Sequence, residues 1–264
     1  MIDSHCHLEQ PEFSEYLDQV IQRCRNAGLR AVVSSCSRPV DFEKSLNIAN
    51  KYKGFVFITA GFHPEFMKKI TEEGMSEYIK KIINNKDKIV GIGEVGLDYA
   101  WIKEPELQEK SRKLFAEMIR LANRLNLPLV IHSRDAHPDT LRILEENKAS
   151  RVLLHMWGGH HKELMDKVNE LGYFVSLNTT VLRSKGYRKV ARDTPLERMM
   201  LETDSPWLGV KKQDDSWVID QSIRNEPTAI KIVARKIAEI KKLSFDKIWE
   251  ACRNNAISFF ALKL

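Results

Sequence analysis

His5 and His7, in the segment Asp3-Ser4-His5-Cys6-His7, lie one residue apart near the start of the chain. In an extended segment the side chains at i and i+2 project to the same side, so both imidazoles can reach one point in space. A metal ion is the chemistry that uses two imidazoles there. Two polar histidines on an exposed strand face would show the same spacing, so the pair needs partners elsewhere. His63, Glu94, His132, His155 and Asp204 each end or closely follow a short apolar run. Singly, each has a plain structural explanation. His132 after Leu129-Val130-Ile131 can be a satisfied core histidine, and Asp204 in Thr203-Asp204-Ser205-Pro206 sits in turn chemistry. Their shared placement at the ends of apolar runs is not explained that way.

Short aliphatic runs alternate with longer segments of helical period. The strand candidates are 1–2, 31–34, 56–60, 89–93, 129–132, 152–155, 173–176 and 199–202. Helical segments are expected near 12–27, 41–52, 75–84, 104–125, 136–147, 161–171, 181–192, 228–240 and 245–260. Strand-then-helix units with no composition break predict an α/β fold, a distorted (β/α)8 TIM barrel forming a single domain over residues 1–264. The runs are apolar throughout, as strands covered on both faces are. A doubly wound sheet is the rival, and no G-x-G-x-x-G follows an early strand. In a barrel, sites lie at the C-terminal ends of the strands, where all seven candidate residues fall. The stretch 205–227 reads as one long loop, a length usually tied to function.

The composition is that of an ordinary globular chain, 43% hydrophobic and 30% charged over 264 residues. No apolar run approaches a membrane span, and an acid at position 3 stands where a signal peptide would be basic, so a cytoplasmic location is expected. Cys6, Cys24, Cys36 and Cys252 form no C-x-x-C pair and should be reduced, with Cys6 turned opposite to the two histidines as a small buried hydrophobe. The net charge of +6 is mild. Five basic side chains within 183–192 make either a solvated helix face or a contact to a phosphate backbone.

Four histidines and two carboxylates can hold two divalent cations. That leaves about two positive charges uncompensated, which favours hydroxide and an anionic substrate oxygen as further ligands. A carboxylate bridging the pair would hold the ions about 3.5–4 Å apart.

The blocks Asp3-Ser4-His5-Cys6-His7-Leu8, Gly61-Phe62-His63-Pro64, Gly93-Glu94-Val95-Gly96-Leu97-Asp98, the segment from Pro128 to Arg134, Leu201-Glu202-Thr203-Asp204-Ser205-Pro206 and Arg224-Asn225-Glu226-Pro227 resemble, in order, the signatures of the TatD family of metal-dependent deoxyribonucleases. The resemblance spans essentially the whole chain. It implies an amidohydrolase-like barrel with divalent ions, here two per chain, as Zn2+, Mg2+ or Mn2+. By position, His5, His7 and Asp204 would hold the first ion, Glu94 would bridge, and His132 and His155 would hold the second. The sequence after His155, Met156-Trp157-Gly158-Gly159, departs from the family pattern and puts the adjoining pocket in question.

The expected reaction is in-line attack on phosphorus by a metal-activated water, with Asp204 as proton acceptor and His63 directed at a phosphate oxygen or the leaving group. Arg134, beside His132, and Arg224 are phosphate candidates; helix capping accounts for Asn225 and Pro227. Trp101, Trp157 and Trp207 lie in loops on the site's face and would either stack bases or roof the barrel. The resemblance implies DNA as substrate, single-stranded or damaged, cut by a 3′-5′ exonuclease or a repair-type nuclease acting as a monomer. Two rivals use the same residues. One is an ester or amide hydrolase such as an aminoacyl-tRNA deacylase, disfavoured because no strand-end lysine competes with Glu94. The other is a non-catalytic metal-stabilised nucleic-acid-binding module, which would close its ligand shell.

Overall fold

The computed structural model describes residues 1–264 except Asp215. Eight strands follow one another around a barrel: β1 (Ile2–Cys6), β2 (Ala31–Cys36), β3 (Val56–Ala60), β4 (Gly91–Asp98), β5 (Leu129–Arg134), β6 (Val152–Leu154), β7 (Phe174–Leu177) and β8 (Met199–Leu201). All pair in parallel with their sequence neighbours, in the order β1 to β8. The intervening helices are α1 (Leu17–Asn26), α2 (Phe42–Lys51), α3 (Glu72–Asn84), α4 (Pro105–Leu125), α5 (His137–Glu146), α6 (Lys162–Glu170) and α7 (Lys185–Asp193), and α8 (Ile230–Lys241) and α9 (Phe245–Phe260) complete the chain. This is the expected (β/α)8 barrel.

Alternation along the strands divides the apolar side chains into two layers. Val32, Val56, Ile58, Leu129, Ile131, Val152 and Leu154 face the helices and build the main core. Ile2, Ala31, Val33, Val130, Leu153 and Met200 face inward, where Phe259 and Phe260 from the end of α9 and Leu262 just beyond it join them. One end of the barrel is thereby filled with hydrocarbon, and the polar constellation is left at the other.

Two local irregularities place the site. Strict alternation would put Ile2 and Cys6 on one face, yet Ile2 belongs to the inner layer and Cys6 to the outer one. The β1–β2 register shifts between Asp3 and Cys6, and such a bulge re-aims side chains. A second shift, between Ile92 and Val95, brackets Glu94. Close approach of β4 to β5 requires glycine at Gly96, where a Cβ would lie 1.9 Å from the His132 carbonyl oxygen.

No backbone ladder joins β8 to β1 among the described residues. Side-chain hydrogen bonds, with isolated backbone ones, close that seam instead. Asp3 accepts from Thr203 N at 3.1 Å and from Thr203 Oγ1 at 2.5 Å, and Ser4 Oγ donates to Leu201 O at 2.9 Å. Beyond them Asp204 N donates to His5 O at 3.0 Å and His7 N to Ser205 O at 2.8 Å. The first and last strands are thus pinned together at the residues that carry His5, His7 and Asp204.

Several boundaries differ from the sequence reading. β1 and β4 run further than expected, to Cys6 and Asp98, because polar site residues continue the strands where an apolar criterion ends them. The helix expected over 181–192 is a short 3-10 turn, Thr179–Leu182, followed by α7. The stretch 205–227 is not all loop. It contains an antiparallel hairpin of β9 (Val210–Gln213) and β10 (Ser216–Ile219). Lys-Lys-Gln and Ser-Trp carry little apolar signal, so exposed strands of this kind escape a hydrophobic pattern.

Candidate metal centre

Glu94, at the middle of β4, is almost fully buried, and its two carboxylate oxygens look in different directions. Oε2 lies 3.5 Å from His5 Nε2 and 3.7 Å from His7 Nε2. Asp204 Oδ1 completes that set, at 3.7 Å and 3.4 Å from the same two nitrogens, which are 3.1 Å apart. Oε1 lies 2.9 Å from both His132 Nδ1 and His155 Nε2, which are 3.4 Å from one another. Nitrogen and oxygen donors set tetrahedrally about 2.1 Å from a shared ion are about 3.4 Å apart. The first set brackets that spacing at 3.1–3.7 Å and the second lies slightly inside it at 2.9–3.4 Å, so the residues present fit a metal pair.

His63 joins the second set more closely than expected. Its Nε2 is 3.4 Å from Glu94 Oε1, and His63, Glu94 and His132 form a group able to hold an ion. The His63 ring also accepts a hydrogen bond at Nδ1 from Glu65 N, 3.2 Å away. A neutral imidazole has one proton, so that acceptor role puts the proton on Nε2 and makes the atom facing the site a donor.

The charges are strongly coupled. Burial alone would raise Glu94, but His63, His155 and His132 outweigh it and hold the carboxyl well below the usual range. Asp204 is held down against burial by His7, His155 and His5. Burial presses His5 and His63 below the ordinary imidazole value. At His7 burial is outweighed by Asp204 and Glu9, which lift it to about 10. His132 is lifted by Asp98 and Glu94, and His155 by Glu94 and Glu202, again against burial. Positive charge is therefore favoured at the centre even when only protons supply it.

Three further carboxylates escaped the sequence reading. Glu9 Oε1 lies 3.4 Å behind His7 Nδ1, Asp98 Oδ2 lies 3.0 Å behind His132 Nε2, and Glu202 Oε1 lies 3.4 Å behind His155 Nδ1. Carboxylates in that place orient metal-binding imidazoles. With Glu9, Asp98 and Glu202 beside Glu94 and Asp204, five carboxylates face two divalent ions, so the two uncompensated positive charges expected from the ligands alone are offset by the carboxylates behind them. The available signal was positional, since Glu9, Asp98 and Glu202 lie two, four and two residues from His7, Glu94 and Asp204.

The remaining candidates separate by burial. Trp101 and Trp207 are 56% and 45% exposed, and Trp207 meets the His7 ring edge-on with centroids 4.7 Å apart. Trp157 is 0% exposed, sits in the main core and packs edge-on against His137, so it neither roofs the barrel nor stacks a base. Arg134 is exposed at the end of β5. Arg224 is occupied elsewhere: it donates to Glu12 O at 2.8 Å and to Glu226 Oε1 at 3.3 Å, with its guanidinium over Phe13 and Tyr16. A phosphate role for Arg224 would require breaking those contacts. Asn225 does two jobs at the entry to the 3-10 turn Pro227–Ala229: its Oδ1 accepts from Glu226 N at 3.0 Å, and its Nδ2 donates to Thr203 O at 2.9 Å and props the end of β8. In the basic segment, Arg188 donates to Val181 O and Leu182 O and Arg192 pairs with Asp193, leaving Arg183, Lys185 and Lys189 on the surface. The four cysteines are buried and free. No helix among the described residues is long and apolar enough to cross a membrane.

A parallel barrel with histidines and carboxylates gathered at its strand ends defines the class of metal-dependent barrel hydrolases. Comparison with known proteins specifies it. The profile of the family described as TatD related DNase matches residues 2–261, and the chain belongs to that family. It is therefore a metal-dependent hydrolase of the kind that cleaves phosphoester bonds. Its relatives include the human protein named deoxyribonuclease TATDN3, 36% identical across 98% of this chain and 94% of the relative, and the Bacillus subtilis metal-dependent hydrolase YabD, 31% identical across 99% of each. The crystal structure of the Escherichia coli TatD homologue YJJV superposes with a TM-score of 0.88 at 25% identity, covering 100% of this chain and 98% of that one. A Campylobacter jejuni dihydroorotase, at 13% identity and a TM-score of 0.61, shares the fold alone.

Proposed function

We propose that this chain hydrolyses phosphodiester bonds of DNA, at single-stranded ends or damaged sites, with two divalent ions. The observation that carries this reading is Glu94, whose two oxygens belong to two separate sets of donors. His5, His7 and Asp204 with Glu94 Oε2 would hold one ion, and His132 and His155 with Glu94 Oε1 the other. When bound, the ions supply a water acidified to near neutral pKa and positive charge for a phosphate oxygen. Histidine-rich donors suit Zn2+, while Mg2+ or Mn2+ prevail where availability outweighs affinity.

Asp204 keeps its carboxyl unprotonated beside the first set and takes the proton of the attacking water. His63, neutral through burial and protonated on Nε2, donates to a phosphate oxygen or to the leaving oxygen. Arg134 offers a guanidinium fork to a neighbouring phosphate. Trp207 and Trp101 present exposed indole faces on which bases stack regardless of sequence. A 3′-5′ exonuclease or a repair-type nuclease would each use this arrangement, and the human relative's name, deoxyribonuclease, supports DNA as the substrate.

The test is cleavage of end-labelled single- and double-stranded DNA with Mg2+, Mn2+ or Zn2+, with chelator and Glu94→Ala as controls. Cleavage that disappears in both controls is expected. Metal-loaded protein that leaves DNA intact but hydrolyses an ester in a Glu94-dependent way would overturn the reading.

A further inference from the structure

The three carboxylates behind the histidines are not equivalent. Glu9 backs His7 and Asp98 backs His132, each a single imidazole. Glu202 stands with two. His5, His155 and Glu202 each offer one ligand atom within 4.8 Å of one another, and all three are buried. The two imidazoles are stacked, with centroids 4.0 Å apart and an interplanar angle of 15°. His5 belongs to the first donor set and His155 to the second. Nδ1 of each is buried without a hydrogen-bond partner in this geometry; His155 Nδ1 is 3.4 Å from Glu202 Oε1, while the His5 ring stands farther from that carboxylate, with a ligand atom within 4.8 Å of it.

Glu202 is itself firmly held. It follows β8, is completely buried, and accepts from Ser176 Oγ and from Asn178 Nδ2, the latter at 3.2 Å. Asn178 is fixed in turn, its Oδ1 accepting from Thr180 N at 3.1 Å and from Thr180 Oγ1 at 2.6 Å. Two donors leave about half of a carboxylate's lone-pair sites for the imidazoles. An imidazole that carries its proton on Nδ1 presents a free lone pair at Nε2, the atom that both His5 and His155 turn toward Glu94.

We propose that Glu202 is a positioning residue shared by the two donor sets, accepting Nδ1–H of both His5 and His155 and thereby linking the two ion positions from behind as Glu94 links them in front. The inference rests on the two-ion reading above. It predicts a pattern of metal affinity that no carboxylate serving a single histidine would give.

The experiment is stepwise calorimetric titration of the chelator-treated full chain with Zn2+, for wild type, Glu202→Met, Glu9→Met and Asp98→Ala. Loss of an orienting partner typically lowers metal affinity 10–100-fold. Glu202→Met is expected to weaken both binding steps, and each of the other two variants only one. Wild type binding fewer than two ions would overturn the two-ion reading together with the inference; two ions in wild type with only one step weakened in Glu202→Met, or none, would overturn the inference alone. A second measurement needs no variant to fold. Nitrogen-15 NMR of loaded wild-type protein should find the protons of the His5 and His155 rings on Nδ1, and either ring bare at Nδ1 refutes the assignment.

Discussion

Replacing Glu94 by glutamine keeps the shape of the side chain and removes its charge from a buried position that faces five imidazoles. Oε1 is 2.9 Å from His132 and His155 and 3.4 Å from His63, while Oε2 is 3.5 Å and 3.7 Å from His5 and His7. In chelator-treated protein the protons on His7, His132 and His155 are the counter-charges, and an amide leaves them uncompensated. Removing one partner of a buried pair costs about 3–5 kcal/mol. In a chain of this size each kcal/mol lowers the melting temperature by roughly 2–4 °C, so Glu94→Gln should melt about 6–20 °C below wild type.

The pH dependence of that gap has a definite sign. Glu94 is held below the ordinary carboxylate value, so its contribution is present above about pH 4.3 and fades as pH falls through the lowered folded value. Glu94 helps to hold His155 and His132 above the ordinary imidazole value, so the stability they share with it is complete below about pH 6.5 and is lost as pH rises through their raised folded values. The gap between variant and wild type should thus be widest between about pH 5 and 6.5 and narrow toward pH 10. Adding metal should stabilise wild type by about 2.7 kcal/mol at a hundredfold excess over Kd, and the variant far less. Thermal melts across pH, with and without metal, measure all of this. An unchanged gap from pH 6 to 10, or an equal gain from metal in the variant, would refute the argument.

His63→Ala should leave two ions bound per chain and lower kcat about 10²–10³-fold, the scale of one lost donor at a developing charge; loss of metal on elemental analysis would instead make His63 a ligand. Trp207→Ala should raise KM for single-stranded DNA through the loss of about 1–3 kcal/mol of stacking, with little change for a short substrate that does not reach it. Trp157→Ala should act oppositely, lowering the melting temperature through a cavity cost of about 3–5 kcal/mol, and a variant as stable as wild type would show that its burial is not stabilising. Asp3→Ala should loosen the seam between β1 and β8, read as faster hydrogen exchange at Asp204 N and His7 N than in wild type.

Much of this protein is determined by the order of its residues alone. Eight apolar runs separated by helical segments admit few folds, and a parallel barrel gathers every strand end at one mouth, so His5, His7, His63, Glu94, His132, His155 and Asp204 were legible as one constellation before any coordinate was known. Their types and order also carried the family resemblance. What the sequence could not decide depends on contacts between residues far apart in the chain. Burial separates Trp157 from Trp207, although both are tryptophans in loops after strands, because only packing shows which indole the core closes over. Arg224 is a phosphate candidate by residue type, and only the fold surrounds it with Glu12, Glu226 and two aromatic rings. The hairpin at 210–219 is written in polar residues whose pairing leaves no hydrophobic period. The orienting carboxylates have no motif of their own: Glu9, Asp98 and Glu202 matter through the nitrogen each one faces, and a bulge in β1, a close approach at Gly96 and a side-chain seam between Asp3 and Thr203 set those directions. Residue types supply donors and acceptors; only the folded backbone fixes which lone pair meets which proton.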